Sequence, residues 1–319
     1  MKIIDFVKKW TLPCAMAFGA MTYILFTNVE PLVPVGRAAA PLILDMLPVL
    51  IFTMLYVTFC KIQVSDLRPR LWHFELQGIR TLLSAAVVVA ILLVDDLDTK
   101  IVLEGVFICV ICPTAAAAPV ITEKLGGNIA SLTVYSIIAN IVTSVIIPFF
   151  FPIVEKGADI SFSFAFVMVL KRVVTVLLVP LCLALLTRRY LPRFAEAVKR
   201  QKNIAFYIWS FNLSIVMGMT VHNITHAPVG SGELALLVIL PLFVTLLLFS
   251  IGKAVGRRHG ESIGAGQALG QKNTIVGIWL TITFLNPTAA VAPCAYVIWQ
   301  NCVNAWQLWY KEKHGKLKW

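Results

Sequence analysis

The chain has 319 residues, of which 59% are hydrophobic and 13% charged, with a mean hydropathy of +0.85. Soluble domains are about 45–50% apolar and about 25% charged, which excludes a soluble enzyme or a nucleic-acid-binding domain. The net charge of +11 is read instead as an excess of Lys and Arg on the cytoplasmic side of a membrane.

Continuous apolar runs such as 82–94 and 234–252 lack the alternation of a barrel strand, so the class is all-α and polytopic. The basic start MKIIDFVKKW leads into an apolar run reaching Phe26 without a small-residue cleavage site, and is read as a retained first helix. Ten apolar segments follow the chain near 10–27, 39–60, 76–94, 101–122, 128–153, 162–187, 203–220, 233–252, 262–284 and 287–310. Each is long enough for the roughly 20 residues that a span requires.

Charge tests that count. Segments on one expected side carry 21 of the 27 basic residues, among them Lys8, Lys9, Lys61, Arg68, Arg70, Arg80, Lys124, Lys253 and Lys311. The opposite loops hold Arg37, Lys100 and Lys156 among acids such as Asp95, Asp96, Asp98, Glu155 and Asp159. This asymmetry predicts an inner-membrane protein with both termini cytoplasmic.

Two segments are irregular. The fourth contains CPTAAAAP (112–119), with a proline at each end of a small-residue stretch, and the ninth contains the polar, glycine-rich GAGQALGQKN (264–273). Each breaks a helix near mid-membrane, which is tolerated only where backbone is buried in protein or lines a polar cavity. Broken helices at matching positions of two halves mark a transporter's binding site. They divide the chain into repeats 1–157 and 158–319, with breaks near 113–119 and 268–273.

Lys272 lies about ten residues into the ninth segment, roughly 15 Å from its start at 1.5 Å per residue. A charge at that depth costs about 2.5–3.5 kcal/mol and requires carbonyls, a carboxylate or an anionic substrate. Asp45, inside LILDMLP, is a conceivable partner or a solvated outer residue. Lys171 and Arg172 interrupt the sixth segment, as an interfacial helix or as anion ligands. Other motifs are weak. Cys109 and Cys112 lack a second ligand pair, and His222 and His226 read as residues of a short outer loop. Seven cysteines, an odd number, argue against a disulfide framework. No metal, cofactor or catalytic constellation is expected.

The motifs CPTAAAAPVITEKLGGNIAS (112–131), GQALGQKN (266–273), NPTAAVAPCAYVIWQN (286–301) and FCKIQVSDLRP (59–69) resemble the bile acid:sodium symporter family, in its bacterial type. The resemblance implies ten transmembrane helices as two inverted five-helix repeats, panel and core domains, and discontinuous fourth and ninth helices that cross. It also implies transport of organic anions, from bile salts to small carboxylates such as pantoate.

The sodium sites depart from that pattern. The family's ninth-helix glutamate falls at Ala268 and its glutamine at Lys272, with Asn273 retained. A fourth-helix Ser-Asn pair falls at Ala118 and Pro119, and two hydroxyl ligands fall at Leu132 and Ser136. A third-helix glutamine falls near Ser84, or at Gln77 or Arg80 if the register shifts. Sodium seeks hard oxygens and negative charge, whereas this chain lacks the carboxylate and has gained an ammonium. The expectation is sodium-independent transport by alternating access, with Lys272 replacing the sodium charge. Both a permanent Lys272 charge and one that cycles a proton fit the sequence. Thr114, Pro119, Gln271, Lys272, Asn273 and Asn301 are the expected substrate contacts. Lys272, Ala268, Asn128 and Ser136 are the expected coupling positions. The alternative is a conventional sodium-coupled symporter.

Overall fold

A computed structural model describes residues 3–155, 167, 170, 171, 174–201 and 203–317. The helices are α1 (Ile3–Lys9), α2 (Thr11–Asn28), α3 (Val33–Phe59), α4 (Leu71–Leu92), α5 (Leu97–Ile111), α6 (Ala118–Leu125) and α7 (Ile129–Val154). They continue with α8 (Val179–Tyr190), α9 (Pro192–Arg200), α10 (Ile204–Thr225), α11 (Ser231–Arg258), α12 (Ser262–Gly270), α13 (Thr274–Phe284) and α14 (Val291–His314). A π-helical turn, Val174–Leu178, leads into α8. Most of the expected sixth segment, including Arg172, lies outside the described residues; Lys171 is exposed. The chain is an all-α polytopic membrane protein.

Among the described residues, five helices are long and apolar enough to cross a membrane: Glu30–Phe59, Leu71–Leu92, Ile129–Val154, Ile204–Thr225 and Ser231–Arg258. A bent pair, Val174–Tyr190 with Pro192–Arg200, makes a sixth. The expected fourth and ninth segments miss that test because each is two short helices, α5 with α6 and α12 with α13.

Local chemistry fixes the ends. Asp96 accepts from the Thr99 amide at 2.8 Å to open α5, and Asn128 accepts from the Ser131 amide at 3.0 Å to open α7, satisfying helix-end amides. Gly126, at φ +82°, closes α6 in the left-handed region where glycine carries no Cβ penalty. Proline is retained inside α3 (Pro41, Pro48), α7 (Pro148, Pro152) and α11 (Pro241), as membrane helices permit.

The helices gather in two groups. In one, α10 packs on α2 and α3, and α3 on α8, around Leu12, Met54, Leu55, Phe59 and Leu213. In the other, α4, α5, α7 and α11 to α14 surround Phe107, Tyr135, Phe151, Leu269 and Tyr296. The closest approach in the second group is α11 against α12. A Cβ on Gly252 would lie 2.4 Å from the Ala265 carbonyl oxygen. This close packing keeps 264–270 helical, so the ninth-segment break is shorter than the glycines suggested and covers only Gln271–Asn273.

Candidate transport site

The two breaks meet in the second group. The α5 helix ends at Ile111 and α6 begins at Ala118 with Pro119 in its first turn, where a missing amide costs nothing. Between them Pro113–Ala115 runs antiparallel to Gln271–Asn273. The Ala115 amide donates to the Gln271 carbonyl at 3.0 Å and the Asn273 amide to the Pro113 carbonyl at 2.9 Å, centred on Thr114 and Lys272. The interrupted helices thus satisfy each other's backbone across the crossing, which lipid could not do.

The helix ends left at the crossing are finished differently. At the α12 end, neutral hydroxyls donate: Thr114 Oγ1 to the Ala268 carbonyl at 2.7 Å and the Tyr296 hydroxyl to the Gly270 carbonyl at 2.7 Å. At the α5 end, the donors are basic side chains. Lys272 Nζ donates to the carbonyls of Val110 at 2.7 Å and Cys112 at 3.1 Å. The Arg80 guanidinium donates to Ile111 at 3.2 Å and Cys112 at 3.4 Å, and also to Thr143 Oγ1 at 2.7 Å and the Ala139 carbonyl at 3.1 Å. A helix C-terminus carries about half a negative charge, and here two basic side chains donate to it. Lys272 is 2% exposed and Arg80 1%. Among the described residues, no carboxylate forms an ion pair with either.

This geometry corrects two expectations and decides between the two readings of Asp45. Asp45 is exposed on α3 and does not pair with Lys272, because backbone carbonyls already occupy the ammonium. Arg80 is not a cytoplasmic rim charge: it faces inward from α4 and binds the α5 end. A signal for this is present in the sequence, since His73, Gln77, Arg80 and Ser84 recur at helical spacing and all four are buried. His222 is not a loop residue, whereas His226 falls in the turn that follows α10. His222 lies in the last turn of α10, with His226 following it, and His222 Nδ1 meets the Tyr23 hydroxyl at 2.9 Å.

The other expected residues fall around the crossing. Gln271 is fully buried, and both atoms of its amide lack a partner. Asn301, fully buried on α14, donates to the Val297 carbonyl at 2.8 Å and leaves its oxygen unpartnered. Ala268 contributes the carbonyl that Thr114 uses. Asn128 caps α7, and Ser136 is buried with its hydroxyl unpartnered. Pro119 is buried. Gln300, not anticipated, accepts from the Lys272 amide at 2.8 Å and donates to its carbonyl at 3.3 Å. Asn273 is half-buried and caps α13. Beside it, partly open Ala116 and Ile275 pack against the first group, so the crossing's accessible face points toward that group.

Broken helices that meet inside a polytopic bundle are the arrangement secondary transporters use for a binding site. A sequence model described as the Sodium Bile acid symporter family matches residues 48–227. That is more than half of the chain, and the chain belongs to this family. No curated protein matches it. Family membership makes the chain a secondary transporter of organic anions or bile acids, in a family of transporters rather than enzymes.

Proposed function

We propose that this protein moves small organic anions by alternating access without sodium, with the Lys272 ammonium in place of a bound sodium ion. The observation that carries this reading is the pair of contacts from Lys272 Nζ to the carbonyls of Val110 and Cys112. Sodium binds hard oxygens, and a cation already tethered on those oxygens both occupies them and supplies the missing charge. Ala268 supplies no carboxylate side chain for a mobile cation.

The reading takes the chain as ten spans in two inverted repeats, 1–157 and 158–319, in the inner membrane with both termini cytoplasmic. The antiparallel meeting of the two breaks and the basic cytoplasmic loops support it. The anion is assigned to the accessible face of the crossing, near Asn273, Thr114 and Pro119 and the positive ends of α6 and α13. Gln271 and Asn301 supply buried amides behind it. A Lys272 that keeps its proton leaves uptake independent of pH gradients. One that releases its proton in each cycle couples uptake to them, and transport under an imposed pH gradient separates the two.

The deciding experiment is thermal unfolding of purified protein in sodium and in choline buffers, beside Lys272→Gln. A ligand at about 100 times its dissociation constant stabilises the folded state by about 2.7 kcal/mol. The wild type should melt at the same temperature in both salts. Lys272→Gln should melt lower and recover part of the loss in sodium alone. A sodium-specific rise in the wild type would make the protein a conventional sodium symporter.

A further inference from the structure

We infer that the Lys61–Glu123 ion pair is the latch that holds this carrier closed on its cytoplasmic face, and that α6 connects the latch to the anion site. The inference rests on the alternating-access, ten-span reading and adds to it the contact that must break when the carrier opens inward.

The α6 helix packs on α7, α12 and α14 of the second helix group. Its eight residues span about 12 Å. The first turn, with Ala118 and Pro119, lies at the crossing, and the last turn carries Glu123 and Lys124. Both of these side chains reach the first group. Lys61, in the turn after α3, donates to both Glu123 carboxylate oxygens, at 2.7 and 3.0 Å, and its side chain is 7% exposed. Lys124 Nζ donates to Asn203 Oδ1 at 2.5 Å and lies 4.9 Å from the centre of the Phe206 ring, where α10 begins. On the same helix Val120, Ile121 and Leu125 are buried in one apolar cluster with Leu12 and Phe59 of the first group.

Among the described residues, Lys61–Glu123 is the one ion pair that joins the two groups. On the outer face, the Asn223 amide of α10 meets the Cys294 thiol of α14 at 3.4 Å, and sulfur is a weak acceptor. Glu123 also stands among three lysines. The Lys311 ammonium donates to the Lys124 carbonyl at 2.8 Å. Burial lowers the Lys124 pKa, Glu123 raises it, and Lys61 and Lys311 lower it. Neutralising Glu123 therefore leaves a largely buried Lys61 without its carboxylate and the lysines repelling one another, which penalises the closed face. Because α6 begins at the crossing, an anion held at its positive end bears on the same helix that carries the latch.

The test is pulsed EPR on the full-length protein in nanodiscs, with Cys14, Cys182 and Cys302, the cysteines that are not buried, replaced by serine. One pair of spin labels, at Gln63 and His314, spans the two groups on the cytoplasmic face. A second pair, at Asn28 and Asp98, spans them on the outer face, and all four positions are exposed. Glu123→Gln and Lys61→Gln should each raise the population with a long cytoplasmic and a short outer distance about ten-fold, which is about 1.4 kcal/mol. The exchanged pair, Lys61→Glu with Glu123→Lys, should return both distributions to those of the wild type. Unchanged distances in both single variants overturn the inference. So does a cytoplasmic pair that lengthens while the outer pair stays fixed, which is loosening without alternation. An exchanged pair that folds yet stays open also overturns it. Adding pantoate or taurocholate separates this failure from that of the reading beneath it. Distances that respond to either anion but not to the variants sink the latch alone, and distances fixed under both sink alternating access as well.

Discussion

Arg80 makes four hydrogen bonds from one guanidinium group, joining α4 to the end of α5 and to α7. Its planar fork is suited to several acceptors at once, which an ammonium cannot match. Of these acceptors, the Cys112 carbonyl also has Lys272 and the Ala139 carbonyl also has Thr143. The Ile111 carbonyl has only Arg80 among the contacts described above. Arg80→Met should therefore cost about 1–3 kcal/mol, the penalty for a buried group left unpaired. Arg80→Lys keeps the charge and loses the fork, so its melting temperature should fall between those of the wild type and Arg80→Met. Equal melting of the lysine and methionine variants would show that charge at this position contributes nothing. Lys272 was legible from depth alone, because its segment has no other explanation for an ammonium at mid-span. Arg80 was not, because a basic residue near the start of a span fits the topogenic pattern equally well. Only the inward stripe of His73, Gln77 and Ser84 around it distinguishes the two roles.

At the level of helices, the breaks are positioned by two kinds of sequence. Proline terminates α5 and starts α6, and this was readable because proline lacks an amide and restricts the residue before it. The glycines of 264–270 carry a different message. They remain helical and allow α11 and α12 to approach until a Cβ at Gly252 would meet the Ala265 carbonyl at 2.4 Å. A glycine cluster in a membrane span signals either a break or close helix contact, and the sequence does not say which. Gly252→Val tests the contact. The added carbons must push α12 away from α11 and with it the Gln271–Asn273 break, so about 1–3 kcal/mol of stability should be lost to overpacking. Because α12 carries the crossing, anion transport should fall by more than the folded fraction does. A variant that melts like the wild type and transports normally would show that the contact can slide without consequence.

Across the whole molecule, the ion pairs outside the crossing sort by the faces that the ten-span reading assigns. Lys61 pairs with Glu123 at 2.7 Å, Arg70 pairs with Glu261, and Lys311 Nζ donates to the Lys124 carbonyl at 2.8 Å. Each contact ties segments that the ten-span reading assigns to the cytoplasm. Burial pushes the Glu261 carboxyl above its ordinary range, and Arg70 pulls it back. Lys100 pairs with Glu155 at 2.7 Å and lies near Glu104, joining segments assigned to the outer side. Positive residues held on one face resist translocation during insertion, so on the ten-span reading the same charges that brace the rim also set orientation. The parity of the spans then becomes measurable, because an even number returns the chain to the side where it began. A fluorescent protein fused after Trp319 should mature and glow, since it folds in the cytoplasm. Alkaline phosphatase fused after Asp98 should be active, since it requires the oxidising outer compartment. A dark carboxy-terminal fusion with an active phosphatase there would mean an odd number of crossings between residue 98 and the end of the chain was miscounted. In that arrangement one of the segments expected after residue 98 would not cross, and if it lay at or between the two breaks the half-helices could not cross as inverted copies.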